Sequence, residues 1–175
     1  DNETNTWTNY TTSTIGNAGD FDIGKGQQMA TISGGTLKFT GTPASTLQTQ
    51  AIIDNDAANS GAGTQWNLIA NPFPSYLQGN TNAHSTNNFL TVNSDKLDDE
   101  YEAIYGYDAD GTGYTVYNNS SAALFLAPGQ GFMVASDNTS SDTVSFTTAM
   151  RTVVGTDDFI SSVNPSSFEL ILKLY

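Results

Sequence analysis

Apolar residues in this chain recur in short alternations separated by polar, glycine-rich turns. Leu37 and Phe39 alternate with polar neighbours across 36–40, Val144 and Phe146 do so across 143–147, and Phe168, Leu170, Leu172 and Leu174 do so across 167–175. A period of two places such residues on one face, so each run predicts a half-buried strand. Residues 50–54 (QAIID) and 66–70 (WNLIA) are continuous apolar runs and predict more fully buried strands, with the Asn-, Asp- and Gly-rich stretch 55–65 as a loop between them. The clearest hairpin is 104–117, IYGYDADGTGYTVY, in which two aromatic-rich arms flank an Asp-Gly turn. Residues 124–136, LFLAPGQGFMVAS, predict a strand pair or a bent strand around Pro128, Gly129 and Gly131. Only 85–97, STNNFLTVNSDKL, offers a helix start, with Ser85 as the expected N-cap and about two turns of helix at most. Roughly ten strands at a spacing near a dozen residues predict an all-β chain, an antiparallel β-sandwich of jelly-roll type with at most one or two short helices. At 175 residues it is expected to be a single module, 1–175.

The run WNLIANPFPS, Trp66 to Ser75, interrupts this pattern. Pro72 and Pro74 donate no backbone hydrogen bond and push Asn71 and Phe73 into extended geometry, so the strand is expected to end near Ala70 in a stiff corner. In that corner Phe73 is expected to plug the core, and the Asn71 amide to satisfy backbone groups that the prolines leave unpaired. Trp66 is assigned to the core with it. A ligand-binding loop is the alternative.

Composition narrows the partners. Lysine and arginine total 5 against 18 aspartates and glutamates, a net charge of -13, which repels nucleic acid and anionic lipid headgroups. There is no cysteine, and hence no disulfide, thiolate site or cysteine nucleophile. Abundant Asn, Thr, Ser and Gly with little Lys, Glu or Leu suit a secreted or cell-surface β-protein. No apolar run is long enough for membrane insertion and the first residues are polar, so the chain reads as a mature piece of a larger protein.

Several pieces, in this order, resemble a module of secreted and surface proteins of Bacteroidota that precedes the type IX secretion sorting domain: IGKGQ, LKFTGTP, WNLIANPFPS, NNFL, the aromatic hairpin, LAPGQGFMV and VSFTTAMR, spanning Ile23 to Arg151. Ala70 stands where such modules usually carry glycine, and Tyr107 near a position that is often tryptophan. The resemblance implies a β-fold attached to a catalytic or adhesive region. It also implies, for some members, polysaccharide binding within secreted enzymes.

For catalysis the residues offer little. The single His84 lies in a polar loop, and no nucleophile–His–Asp order, HExxH or phosphate loop is present, so no enzyme activity is expected. Asp108, Asp110 and Thr112 resemble the first half of a calcium loop, with Asp98, Asp99 and Glu100 as extra ligands; the alternative is an Asp-Gly hairpin turn that needs no metal. Sugar binding by a β-sandwich uses aromatic faces that stack on pyranose C–H surfaces, with amides and guanidinium forking to hydroxyls. The candidates are Tyr105, Tyr107, Tyr114 and Tyr117 of the hairpin, Trp7 near the start with Tyr10 beside it, and Asn118 and Arg151 as polar contacts, with Asn80 and Asn119 behind them. Half of the hairpin aromatics are expected in the core, because the arm must bury one face. Arg151, the sole arginine, is expected to pair a buried carboxylate if it does not meet sugar. A non-catalytic carbohydrate-binding module of a secreted polysaccharide-degrading enzyme is therefore the leading expectation, for a neutral or weakly charged polysaccharide rather than a strongly anionic one. A structural spacer or adhesin-type module without a sugar site is the alternative.

Overall fold

The computed structural model describes residues 4–28, 41–56, 63–107, 113–137 and 141–155. The strands expected at 36–40 and 167–175 and the Asp-Gly turn of the hairpin lie outside these residues. Among the described residues nine strands form three antiparallel sheets. β1 (Gln48–Ile52) pairs with β8 (Asp142–Phe146). β2 (Trp66–Ala70), β7 (Gly131–Ala135), β4 (Ile104–Tyr107) and β5 (Tyr114–Tyr117) lie side by side in that order. β6 (Phe125–Leu126), β3 (Tyr76–Gln78) and β9 (Arg151–Thr152) form the third sheet. One short helix, α1 (Phe89–Asn93), runs into a 3-10 turn at Ser94–Lys96. The fold is all-β, antiparallel and sandwich-like, as the alternation predicts.

All three sheets and α1 bury side chains in one cluster, including Ile52, Ile69, Leu77, Ile104, Leu126, Val134 and Val144. Phe89 of α1 joins the four-stranded and two-stranded sheets: its ring stands edge-on to Phe132 of β7 at 5.2 Å and tilted to Phe146 of β8 at 5.3 Å. The helix begins later than expected. Asn88, not Ser85, is the N-cap, accepting from the Thr91 amide at 2.8 Å. All four residues of Ser85–Asn88 are of capping or turn-forming type, and the position is decided by Phe89 and Leu90, both fully buried, which must open the first turn to reach the core.

Asparagine is the polar glue of this interior. Asn93 accepts from the Ser145 amide at 2.7 Å and donates to its carbonyl at 3.0 Å, which stands in for a strand neighbour along β8. Asn67 clips Ile53 in the same way, at 3.1 and 2.9 Å. Asn80 is fully buried, donating to the carbonyls of Asn118 and Ala122 and accepting from the Leu124 amide. Each side chain satisfies backbone groups that would otherwise be buried without partners.

The corner after β2 behaves as the prolines require. β2 ends at Ala70, and Asn71 is 2% exposed. Its amide nitrogen donates to the carbonyls of Ser75 (2.8 Å), Ala127 (3.0 Å) and Leu126 (3.1 Å), and its oxygen accepts from the Phe73 amide at 3.0 Å. Phe73 is buried in the core cluster. The carbonyls that Asn71 holds belong to the segment leading into Pro128-Gly129, a turn closed by the Gln130 amide on the Ala127 carbonyl at 3.1 Å. Gly129 sits there at φ +71°, the left-handed geometry expected of the third residue of a Pro-Gly type II turn. Residues 124–136 thus form two strands, β6 and β7, which belong to different sheets.

Two expectations about the continuous apolar strands are corrected. β1 has only Ile52 buried, because it pairs with β8 alone among the described residues. In β2 only Ile69 is buried, and Trp66 is half-buried rather than a core residue. Register gives the reason: Trp66 lies opposite Ala135 and Leu68 opposite Met133, while Ile69 lies opposite Phe132, so the tryptophan falls on the face turned away from the core.

Candidate functional site

Side chains directly opposite one another in an antiparallel sheet share a face. Following the registers outward from the core, Leu68, Met133, Tyr105 and Val116 form one row across β2, β7, β4 and β5 on the outer face, with Tyr107 opposite Tyr114 in the row beside it. The outer face of this sheet is therefore aromatic and aliphatic from one edge to the other. Gly26 covers its β2 side: a Cβ there would collide with the Leu68 side chain, and the Gly26 amide donates to the Leu68 carbonyl at 3.1 Å.

The hairpin tyrosines separate by depth. Tyr107 and Tyr114 are 52% and 50% exposed, and their rings meet edge to face at 5.4 Å and 73°. Tyr105, on the same face, is half-buried and stands edge-on to Trp66 at 4.7 Å; the Tyr101 ring lies 5.7 Å from Trp66, tilted by 59°. Burial raises the Tyr105 hydroxyl above its ordinary pKa, with Tyr101 and Asp98 adding in the same direction. Tyr117 is corrected as a platform member: it lies opposite Ile104, on the inward face, and packs against the core. The structure thus gives an exposed pair, Tyr107 and Tyr114, and on the same sheet face a separate cluster in which Trp66 meets Tyr105 edge-on and Tyr101 at a tilt.

The remaining candidates lie apart from that platform. Trp7 is exposed, on the stretch ahead of β1. Asn118 is exposed, but its side-chain Oδ1 accepts from the Ser120 amide at 2.9 Å and so shapes the turn after β5. Asn80 is structural, as described above. Arg151 lies in the third sheet, and the expected carboxylate partner is absent among the described residues; its Nε donates to Ser75 Oγ at 3.3 Å and its guanidinium sits 5.3 Å over the Phe73 ring. His84 is a local cap, its Nδ1 accepting from the amides of Thr86 and Asn87.

The calcium ligands expected at Asp108, Asp110 and Thr112 lie outside the described residues. Of the expected extra ligands, Asp98 already accepts from the Glu100 and Tyr101 amides at 2.9 and 3.0 Å. Among the described residues no three His, Asp or Glu side chains gather closely enough to hold an ion. No helix among them is long and apolar enough to cross a membrane.

The residues that sequence reading missed are Trp66 as a half-buried residue of the outer face, Met133 of β7 between the hairpin and β2, and Val116 of β5 opposite Tyr105. The WNLIA run puts Trp66 and Asn67 on opposite faces but has no period that says which of the two is inward. Comparisons with protein families, with curated proteins and with solved structures give no match to this chain.

Proposed function

We propose that this chain is a non-catalytic carbohydrate-binding module from a secreted or cell-surface protein, acting on a neutral or weakly charged polysaccharide. The observation that carries the reading is the Tyr107–Tyr114 pair, half exposed on directly opposed positions of a two-stranded arm and continuous with an apolar sheet face. Rigid rings at fixed spacing suit the apolar C–H faces of a sugar chain, because little side-chain entropy remains to be lost on stacking. The net charge of -13 favours neutral chains over polyanions. The motif resemblance to modules that precede type IX sorting domains agrees with this reading and supplies its context: an attached catalytic region that the module holds against insoluble substrate. Calcium on Asp108, Asp110 and Thr112 belongs to the same proposal, as a clamp on the hairpin turn that carries the platform.

A spacer or adhesin-type module without a sugar site is the second reading. It is favoured by the contacts of Trp66 with Tyr105 and Tyr101, which commit these three aromatics to one another and leave them fewer free faces. Pull-down on a panel of insoluble polysaccharides separates the two. Binding that is weakened by Tyr107→Ala or Tyr114→Ala and insensitive to salt supports the first reading, and absence of binding across the panel supports the second.

A further inference from the structure

The chain carries a single arginine within a net charge of -13, yet no carboxylate among the described residues lies within ion-pair distance of it. Arg151 is half-buried, and its two recorded partners are neutral: the Ser75 hydroxyl on Nε and the Phe73 ring beneath the guanidinium. Both partners belong to the proline corner. Phe73 is locked between Pro72 and Pro74 and buried, and Ser75 is anchored through its carbonyl by Asn71 at 2.8 Å. On the other side, Arg151 opens β9 and lies opposite Leu77 of β3. The backbone of Arg151 is thus fixed by β3 and its guanidinium by the corner, with one of its five N–H donors engaged among the described residues. The guanidinium faces a shallow concavity of about 470 Å³ lined by Ser75, Thr148, Arg151, Thr152 and Val153.

We infer that this concavity binds a carboxylate, and specifically one isolated uronic acid residue of an otherwise neutral glycan. A planar guanidinium with its outer edge free matches a carboxylate through two parallel hydrogen bonds, a geometry that an ammonium does not reproduce. Ser75, Thr148 and Thr152 line the same concavity and bring hydroxyls, which can both donate and accept, as ring hydroxyls require. Three of the five lining residues, Ser75, Thr148 and Thr152, carry a hydroxyl, and a sugar acid brings hydroxyls to meet them as well as the carboxylate. A polyuronate is opposed by the charge of the rest of the surface, whereas a single carboxylate meets mainly Arg151, since more distant charges are screened beyond about 8 Å at physiological salt. The site lies in the third sheet, apart from the tyrosine face, and stands or falls independently of it.

The sole arginine gives a single guanidinium Nε–Hε resonance, which makes the test specific. Methyl β-glucuronoside titrated into the full chain is expected to shift that resonance saturably, with a millimolar dissociation constant. Methyl β-glucoside, which carries a hydroxymethyl in place of the carboxylate, is expected to leave it unmoved. Arg151→Lys keeps the charge but loses the fork, and is expected to weaken binding at least about tenfold, read from the Ser75, Thr148 and Thr152 amides in a spectrum that otherwise keeps its dispersion. Thr148→Val is expected to weaken it severalfold. No saturable shift with the glucuronoside, an equal shift with the glucoside, or undiminished binding in Arg151→Lys overturns the inference. An equal shift with N-acetylaspartate overturns the assignment to a sugar acid.

Discussion

Replacing Asn71 with alanine removes the side chain that ties the corner after β2 to the segment before β7. Its amide touches three carbonyls, of Ser75, Leu126 and Ala127, and its oxygen accepts from the Phe73 amide. Two N–H donors serve three acceptors, so the equivalent of about three full hydrogen bonds is lost, at about 1 kcal/mol net each. The Phe73 amide is then buried without a partner, which costs about 1–3 kcal/mol more in place of its own net bond. The expected loss is about 3–5 kcal/mol, a large part of the roughly 5–15 kcal/mol that holds a domain together. The backbone bonds from the Asn71 amide to Gln130 and from Gly129 to Asn71 survive the change, so the corner is weakened rather than abolished. Asn71→Asp is expected to cost at least as much, because it sets carboxylate oxygens against the carbonyls. Urea unfolding with an unchanged m-value measures both variants. A loss under about 1 kcal/mol in Asn71→Ala would refute the view that this amide, rather than the prolines alone, fixes the corner.

Phe73→Ala is expected to cost about 3–5 kcal/mol, and Trp66→Ala clearly less, because Phe73 is in the core and Trp66 half on the surface; equal losses in urea unfolding would contradict the register-based placement of Trp66. Tyr105 has a folded pKa raised above its ordinary 10.0, so its contribution to stability is complete below that pH and is lost as pH rises through the folded value. Stability measured between about pH 9 and pH 11 should therefore fall less steeply in Tyr105→Phe than in the parent, and identical slopes would contradict the burial of its hydroxyl. If calcium clamps the hairpin turn, millimolar calcium raises the melting temperature over chelator by mass action, and an unchanged melting temperature removes calcium from the account.

The fold was legible wherever one element had only one way to satisfy local rules. Two prolines after an apolar run leave Asn71 as the available polar side chain, and the corner follows. Period-two alternation at Val144 and Phe146 likewise marks the inward face of β8, and both are fully buried. WNLIA was not decidable in this way, because a continuous run has no period to say which face is inward. Hydrophobicity alone sends Trp66 to the core, whereas the inward positions are held by Asn67 and Ile69. The Asn67 amide is needed there to clip Ile53, a long-range contact with no local signature. The helix start was ambiguous for a related reason, since Ser85 through Asn88 are all turn-forming and only the burial of Phe89 selects among them.

The tyrosine platform was half legible. Two arms of alternating aromatics require that some face outward, but which ones depends on the register, and that is fixed by Ile104 and Gly106 turning inward opposite Tyr117 and Thr115. Arg151 was singled out as the only arginine, while its setting over Phe73 arises from a long-range pairing of β3 with β9 and leaves no mark in the sequence.

The central claim, that the outer tyrosine pair anchors a neutral sugar chain, is tested most directly by calorimetric titration of an oligosaccharide cut from whichever insoluble polysaccharide retains the module. The double variant Tyr107→Ala/Tyr114→Ala is compared with the parent in that titration. Each stacked ring is expected to contribute about 1–3 kcal/mol, so the double variant should bind at least about tenfold more weakly while its unfolding midpoint stays close to the parent's. Equal affinity in parent and double variant, with both folded, would contradict the claim.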